Sequence, residues 1–449
     1  MTANVLMLYC AAAKVIGTVA DHLDAFSNMS TFKVVQIDSG VAGNVELEID
    51  RFDAVVFHYS LVLESSNYIN EHLREQIRRY KGAKVLFIQD EMRWVNRTVD
   101  AIVDLGIKTV FSVVNPEAQR KIYHDPRLAD VRFETTLTGF VPEHLIPMKV
   151  PAYEDRKIDV GYRARKLSAW YGSFAREKWL ISKRLEKDAK RFKLNCDLSN
   201  RENERLYGKA WIKFMANCRA TLGVESGASF VDFTGAIYPQ VEAYEAANPD
   251  ATFEEIRDKF LEGRDGEIVI HVISPRCFEA AALRTLMIMY EGDYSGILEA
   301  GRHYVVLERD HSNMEEVASY LREPAKAKPI IDAAYEEIAC SGKWTFKAFI
   351  GHFDQVLSEE LEKIEGSEPA RTNPFDATVL AKMGERFERL HRWRVRRQQT
   401  LFLTARAVLK TAIFIRNHMP EWTRPIITRY GERVIIFLKP HLRRLMGLG

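Results

Sequence analysis

The chain has 449 residues, of which 47% are hydrophobic, 28% charged and 11% aromatic. This is the composition of an ordinary globular protein, not of a disordered, collagen-like or membrane-embedded one, and the length predicts two or three domains. Five cysteines (Cys10, Cys196, Cys218, Cys277, Cys340) form no C-x-x-C pair, which excludes a zinc ribbon, a thioredoxin site and a disulfide framework and points to buried thiols in a reducing compartment. The net charge of +2 hides an asymmetry: from Ala381 onward sixteen Lys and Arg face four Asp and Glu, so the tail carries +12 and residues 1–380 carry −10.

The first residues lack a basic n-region, so no export signal is read there. Short apolar runs then alternate with amphipathic stretches. Val5–Tyr9, Phe32–Ile37, Asp53–His58, Lys84–Gln89 and Thr109–Val113 read as strands, with helices such as Asn67–Tyr80 between them, the pattern of a parallel doubly wound sheet. Around Val141 to Arg156 the periodicity gives way to a proline-bearing linker. A second α/β pattern follows: strand Ile158–Tyr162, a helix over Phe174–Ala189, strand Phe192–Cys196, a helix near Tyr207–Ala216 and strand Ala220–Val224. Beyond a polar stretch, Phe230 to Glu267, come a helix from Pro275, strands Thr285–Tyr290 and His303–Leu307, and a helix from Asn313. Trp344–Leu361 reads as helical, and a Ser, Pro, Thr and Asn-rich break precedes the basic tail. No run of about 18 apolar residues occurs, so no spanning helix is expected.

Several common chemistries are absent. There is no G-x-G-x-x-G after Tyr9, where Ala11–Ala13 stand instead, and no Walker A, H-E-x-x-H or G-x-S-x-G motif, which disfavours dehydrogenase, ATPase, zinc-hydrolase and serine-hydrolase readings. No D-x-D occurs to hold a divalent metal against a diphosphate, so no metal or other cofactor is expected.

Chemistry-bearing residues gather in the second half: Leu222-Gly-Val-Glu225-Ser226-Gly227-Ala-Ser229, Ile273-Ser274-Pro275-Arg276-Cys-Phe-Glu279, and Glu291-Gly292-Asp293-Tyr294-Ser295-Gly296. Each follows a predicted strand, and ligands of open α/β sheets bind at the carboxyl ends of strands. Pro275 suits a first helical turn with Ser274 as its cap, so free backbone N–H groups and Arg276 would face an anion. Glu279, one turn in, could accept from a ribose diol, and Glu225 from a sugar hydroxyl.

These segments resemble the donor site of GT-B glycosyltransferases. Asp159-Val-Gly-Tyr-Arg163-Ala-Arg165, His58-Tyr59-Ser60 and Gln89-Asp90-Glu91-Met-Arg93 extend the resemblance to glycosyltransferase-like proteins of bacterial surface-polysaccharide gene clusters. It implies two Rossmann-like doubly wound domains facing a cleft: an acceptor domain over 1–150, a nucleotide-sugar donor domain over 151–345, a crossover helix and linker over 346–372, and a basic amphipathic helical tail over 373–449. It further implies a nucleoside diphosphate sugar as co-substrate, a lipid-linked or polysaccharide acceptor, no metal and, at the level of the family, a retaining outcome. Donor contacts are expected from Arg163, Arg165, Ser226, Gly227, Ser274, Arg276, Glu279, Asp293, Tyr294, Ser295 and Gly296, catalytic roles from His58, Asp90, Glu91 and Glu225, and acceptor contacts from Tyr59 and Arg93. The sequence departs from the Glu-x7-Glu pattern of some such families, because His271 stands eight residues before Glu279.

The tail, with Arg389, Arg392, Arg394, Arg396 and Arg397 interleaved with Leu390, Trp393 and Val395, reads as an interfacial segment on an anionic membrane, which would place a cytoplasmic protein at the inner face of the cytoplasmic membrane. Packing on the protein's own acidic body is the bland alternative, and no nucleic-acid module accompanies the charge. A nucleotide-sugar epimerase or hydrolase, and a non-catalytic carbohydrate- or lipid-binding scaffold, remain the competing readings of the whole chain.

Overall fold

The computed structural model describes residues 3–43 and 47–365, with 389, 393 and 396 as isolated positions beyond them. Apart from those three, the expectations for the linker after 365 and for the basic tail lie outside the described residues.

Six strands build the first sheet: β1 (Asn4–Tyr9), β2 (Lys33–Asp38), β3 (Ala54–Phe57), β4 (Ala83–Ile88), β5 (Thr109–Ser112) and β6 (Arg132–Thr135). All pair in parallel, in the order β2-β1-β3-β4-β5-β6. The second sheet holds β7 (Ile158–Arg163), β8 (Cys196–Ser199), β9 (Cys218–Gly223), β12 (Leu286–Met289) and β13 (Val305–Val306), ordered β13-β12-β9-β7-β8 and again parallel. Counted from each sheet's own first strand, both follow the doubly wound order 2-1-3-4-5, with a sixth strand added to the first. A short antiparallel pair, β10 (Ser226–Ala228) and β11 (Ile270–Val272), lies beside the second sheet. The two Rossmann-like units expected of a GT-B fold are therefore both present.

Helices cover both faces of these sheets, so the central strands are buried on both sides and read as unbroken apolar runs. Val5 to Leu8, Val55 to Phe57 and Leu286 to Met289 are all at most 1% exposed. Strands without such a run leave a weaker mark in the sequence. The edge strand β6 carries Arg132 and Glu134, paired to each other at 2.6 Å, and gives no apolar signal. The predicted strand Phe192–Cys196 starts too early: Phe192 closes the preceding helix and Lys193 turns the chain at φ 52°, so the strand begins at Cys196.

The last described helix, Phe346–Glu365, packs back on the first sheet. Phe349 and Phe353 meet Phe26 and Phe87 edge-on, and the Asp354 carboxylate accepts from the Ser30 hydroxyl and the Thr31 backbone N–H at 2.7 and 2.6 Å. The stretch read as polar, 230–267, contains two helices, Ile237–Ala247 and Phe253–Phe260. The second starts with a capping sequence, Thr252-x-x-Glu255, whose hydroxyl accepts from the Glu255 N–H. Val231, Val241 and Ile256 from this excursion join a core that also contains Leu63, Met92 and Val114 of the first sheet's side. Among the described residues no helix is long and apolar enough to cross a membrane.

Candidate active site

The carboxyl ends of the two sheets face a cavity of about 170 Å³. From the first half it is lined by Gln89, Asp90 and Glu91 after β4, by Val113 and Val114 after β5, and by Thr138. From the second half come Arg165 after β7, Tyr171, Lys178, and Ser226 and Gly227 of β10. A narrower recess continues behind it, lined by Lys178, Ser226, Ser274 and Arg276 over a floor of Tyr162, Leu222 and Met289. One wall therefore carries carboxylates and the other cations.

Lys178 joins the two spaces. It sits on the helix Ser173–Arg191, whose buried stripe includes Ala175, Ile181, Leu185 and Ala189, and Lys178 falls on that stripe at helical spacing. Its Nζ donates to the Ser226 hydroxyl at 3.2 Å, while the Tyr162 hydroxyl donates to its backbone carbonyl at 2.8 Å and ties the helix to β7. Burial brings the ammonium down to about 8, helped by the cations Arg276, Arg165 and Arg205 and opposed by Asp90. A cation held so far from its ordinary value is one that an anion would stabilise. The sequence signal for it was available: a lysine on the apolar stripe of an otherwise amphipathic helix.

Arg165 is exposed, and its guanidinium makes no hydrogen bond or ion pair within the described residues. Arg276 stacks over Tyr162 and Trp211, 4.6 and 5.1 Å from the ring centres. One of its terminal nitrogens donates to the Arg163 carbonyl at 2.6 Å, and its buried Nε has no hydrogen-bond partner among the described residues. Glu279 is turned toward the same place: Trp211 donates its indole N–H to the carboxylate at 2.8 Å. Burial raises that carboxyl, against the lowering effects of Trp211 and Arg276. Trp211 is a second residue that the motif reading missed, because nothing within the helix Gly208–Ala216 marks which partner its indole meets.

On the opposite wall, Glu91 is 4% exposed. It accepts from the Ser112 hydroxyl at 2.9 Å, the Val113 N–H at 3.2 Å and the Tyr123 hydroxyl at 2.5 Å. Burial pushes its carboxyl up to about 7 in spite of these donors. Asp90, beside it, is exposed and holds a left-handed backbone at φ 59°, a conformation that Asp tolerates better than most residues.

Other expected residues sit elsewhere. Arg163 is committed to the carbonyls of Tyr162, Asp197 and Glu204 and to the Asp197 carboxylate at 2.9 Å, with Phe214 under its guanidinium. It braces a loop and lines neither space. His58 is fully buried; its ring nitrogens meet His22 at 3.0 Å and Ser60 at 2.9 Å, and burial holds it well below the ordinary histidine range, with His22 and Lys14 adding to the effect. Tyr59 stacks on it, and burial raises its phenol. Both belong to an aromatic core rather than to the cavity. Arg93 lies over the rings of Trp94 and Tyr238.

The Gly292–Gly296 turn also faces away. Tyr294 is 0% exposed, with its hydroxyl on the Tyr290 carbonyl and its N–H on Glu225 at 2.8 Å, and the Ser295 hydroxyl accepts from the Ile273 N–H at 3.1 Å. Gly296 completes the turn at φ 67°. Ile270 and Val272 line the cavity, so by strand alternation His271 between them points the other way, where it meets Glu225 at 3.2 Å. Glu225, His271 and Asp293 bring their ligand atoms within 4.8 Å of one another, the trio here whose donors suit a metal ion, although Glu225 is already engaged by His271 and Tyr294. Ser274 stands at the cap of the helix Pro275–Ala282 without a side-chain cap bond. The helix Ser173–Arg191 is capped instead from the segment between β10 and β11: Asp265 accepts from the Ser173 N–H at 3.0 Å and Ser229 from the Phe174 N–H at 3.0 Å.

No family model matches the chain, and no curated protein matches it. Solved structures do. HepE from Anabaena, solved with UDP and glucose, is similar at TM-score 0.47 and 11% identity over 80% of this chain and 100% of that one. An alpha-glucosyltransferase solved with UDP and a 13-mer DNA is similar at TM-score 0.44 and 8% identity over 80% and 99%. TarM is similar at TM-score 0.39 and 12% identity, over 68% of this chain and 54% of that one.

Proposed function

We propose that the protein is a glycosyltransferase that moves a sugar from a nucleoside diphosphate sugar to an acceptor hydroxyl. The observation that carries this reading is the cavity where the carboxyl ends of two doubly wound sheets meet, with Lys178, Arg165 and Arg276 on one side and Asp90 and Glu91 on the other. The cations would neutralise the departing diphosphate, and Glu279, held by Trp211, would receive the ribose. In the transfer, the bond from the sugar's anomeric carbon to the phosphate oxygen breaks and a bond to the acceptor oxygen forms. The proton of the acceptor hydroxyl passes to the Asp90 carboxylate, which stands on the wall opposite the diphosphate, so this route inverts the anomeric carbon where the resemblance implies retention.

A dedicated metal is not part of this scheme, because three cationic side chains already supply the charge and the Glu225, His271 and Asp293 trio lies on the far face of β11. The acceptor class we favour is a lipid-linked or polysaccharide chain, with the basic tail holding the protein at an anionic membrane surface. The test is release of nucleoside diphosphate from a panel of UDP-, GDP- and ADP-sugars. Wild type is expected to release one of them, and Arg165→Ala to be severely impaired. No release from any donor, in a folded protein that also fails to bind the free nucleotides, would overturn the assignment.

A further inference from the structure

The loop that carries the cavity's carboxylates is held by the other half of the molecule. Between β10 and β11 the chain leaves this short antiparallel pair, forms the two helices of the 230–267 excursion and returns. On its way out it lies across the loop after β4. The Asp232 N–H donates to the Met92 carbonyl at 2.8 Å and the Asn96 N–H to the Phe233 carbonyl at 3.0 Å, so Arg93 and Asp232 form a parallel bridge between the halves. The strap is organised by one side chain. Asp232 is 2% exposed, and its carboxylate accepts from the N–H groups of Gly235, Ile237 and Tyr238 at 2.8, 2.8 and 3.0 Å.

The loop it holds is strained. Asp90 and Trp94 both adopt left-handed backbone, at φ 59° and 55°, and non-glycine residues in that region persist only where their surroundings enforce it. The enforcement is visible at Trp94. Its indole lies against Gly235, which itself sits at φ 74°, and a Cβ at Gly235 would overlap the ring. Arg93 stacks on Trp94 and Tyr238, 4.6 and 5.9 Å from their centres, so both flanks of the bridge are clamped by residues of the strap. Around it, Val231, Val241, Ile256 and Ile270 share one core with Met92 and Val95.

The geometry points to a pre-assembled site: the strap, with Asp232 and Gly235 as positioning residues, fixes the Asp90–Trp94 loop and locks the two halves in the relation that forms the cavity. A hinge that opened this cleft would have to break the bridge and expose part of a continuous core. The molecule therefore binds its ligands without closing on them. This inference takes the cavity as the site but does not depend on which sugar is transferred.

Small-angle scattering and amide hydrogen exchange on the full chain, with and without UDP, test it. Wild type is expected to keep the same scattering profile when UDP is added and to show slow exchange at Asp232 and Asn96. Gly235→Ala is expected to speed exchange at those two amides by about tenfold or more and to broaden the profile. With UDP-glucose its rate of donor hydrolysis should fall while its affinity for UDP stays near wild type, a split that general destabilisation would not produce. If Gly235→Ala does not fold, Trp94→Ala removes the same contact from the other side. Contraction of the wild type on adding UDP, or a folded variant with wild-type exchange at Asp232 and Asn96, would overturn the strap. Failure of UDP, GDP and ADP alike to bind would instead fall on the proposed donor site, and the exchange comparison without nucleotide would still decide the strap.

Discussion

The two halves share a strand order but differ in what fills the carboxyl end of the sheet. At the first sheet's β1/β3 crossover, where a doubly wound fold usually opens a crevice, the space is packed. His22, His58, Tyr59 and Phe87 make ring contacts there, and both histidines are held neutral by burial, His22 at about 3. At the corresponding end of the second sheet the space stays open and is ringed by Lys178, Arg165 and Arg276. One topology is closed by packing in the first half and left open in the second, and only the side chains distinguish the two ends.

The largest test of that contrast exchanges the roles. Lys178→Ala is expected to weaken binding of the nucleoside diphosphate identified by the donor panel at least about 30-fold, the scale for removing one partner of a buried charge pair. His58→Ala should leave that affinity unchanged while lowering the melting temperature, since it empties a core position. Comparable losses of affinity in both variants would dissolve the distinction.

A second test reads the carboxylate wall. Glu91 is raised in the folded state to about 7 from an ordinary 4.5, so the stability it contributes is full below about pH 4.5 and is lost as pH rises through 7. Glu91→Gln should therefore gain on wild type as pH rises from 5 to 8, by roughly 3 kcal/mol at most. Denaturant melts of both proteins at the two pH values check the sign, and a constant difference would place Glu91 outside the buried network seen here.

Smaller effects sharpen the donor side. Trp211→Phe removes the indole donor from Glu279 and should weaken binding of the same nucleoside diphosphate about fivefold, the worth of one hydrogen bond of about 1 kcal/mol. In a urea series Ser274→Ala should cost under about 0.5 kcal/mol, because its side chain makes no cap bond, whereas Asp265→Ala should cost about 1 kcal/mol or more by uncapping the Lys178 helix.

Much of the architecture was legible in the sequence because strands buried on both faces leave an unmistakable apolar run: Val5–Tyr9 and Thr285–Tyr290 were read within a residue or two of their bounds. Edge strands such as Arg132–Thr135 have one polar flank and left no such mark. Asp90, Glu91, Arg165, Ser226, Gly227, Ser274 and Arg276 were read from motifs and do line the cavity or its recess. The motif reading of Arg163 and Tyr294 could not anticipate that backbone carbonyls and aromatic packing would claim those side chains. His58 ended an apolar strand, and a histidine there is either a ligand or a core residue, depending on a partner, His22, that lies 36 residues away. The strap leaves the weakest signal of all, since its acidic surface reads as a solvated loop while the apolar positions Val231, Val241 and Ile256 are too sparse to reveal what they pack on.

The most direct test of the central claim, that the Lys178 cluster is an anion site, is calorimetric titration of the nucleoside diphosphate identified by the donor panel near pH 8.5 in buffers of different ionisation enthalpy. Lys178 is held at about 8 in the unliganded protein, so a large share of it is neutral there, and a bound diphosphate would pull its affinity for the proton back up. The account predicts proton uptake on binding in wild type and none in Lys178→Ala. Binding with no proton uptake in the wild type, or uptake that persists in Lys178→Ala, would contradict it.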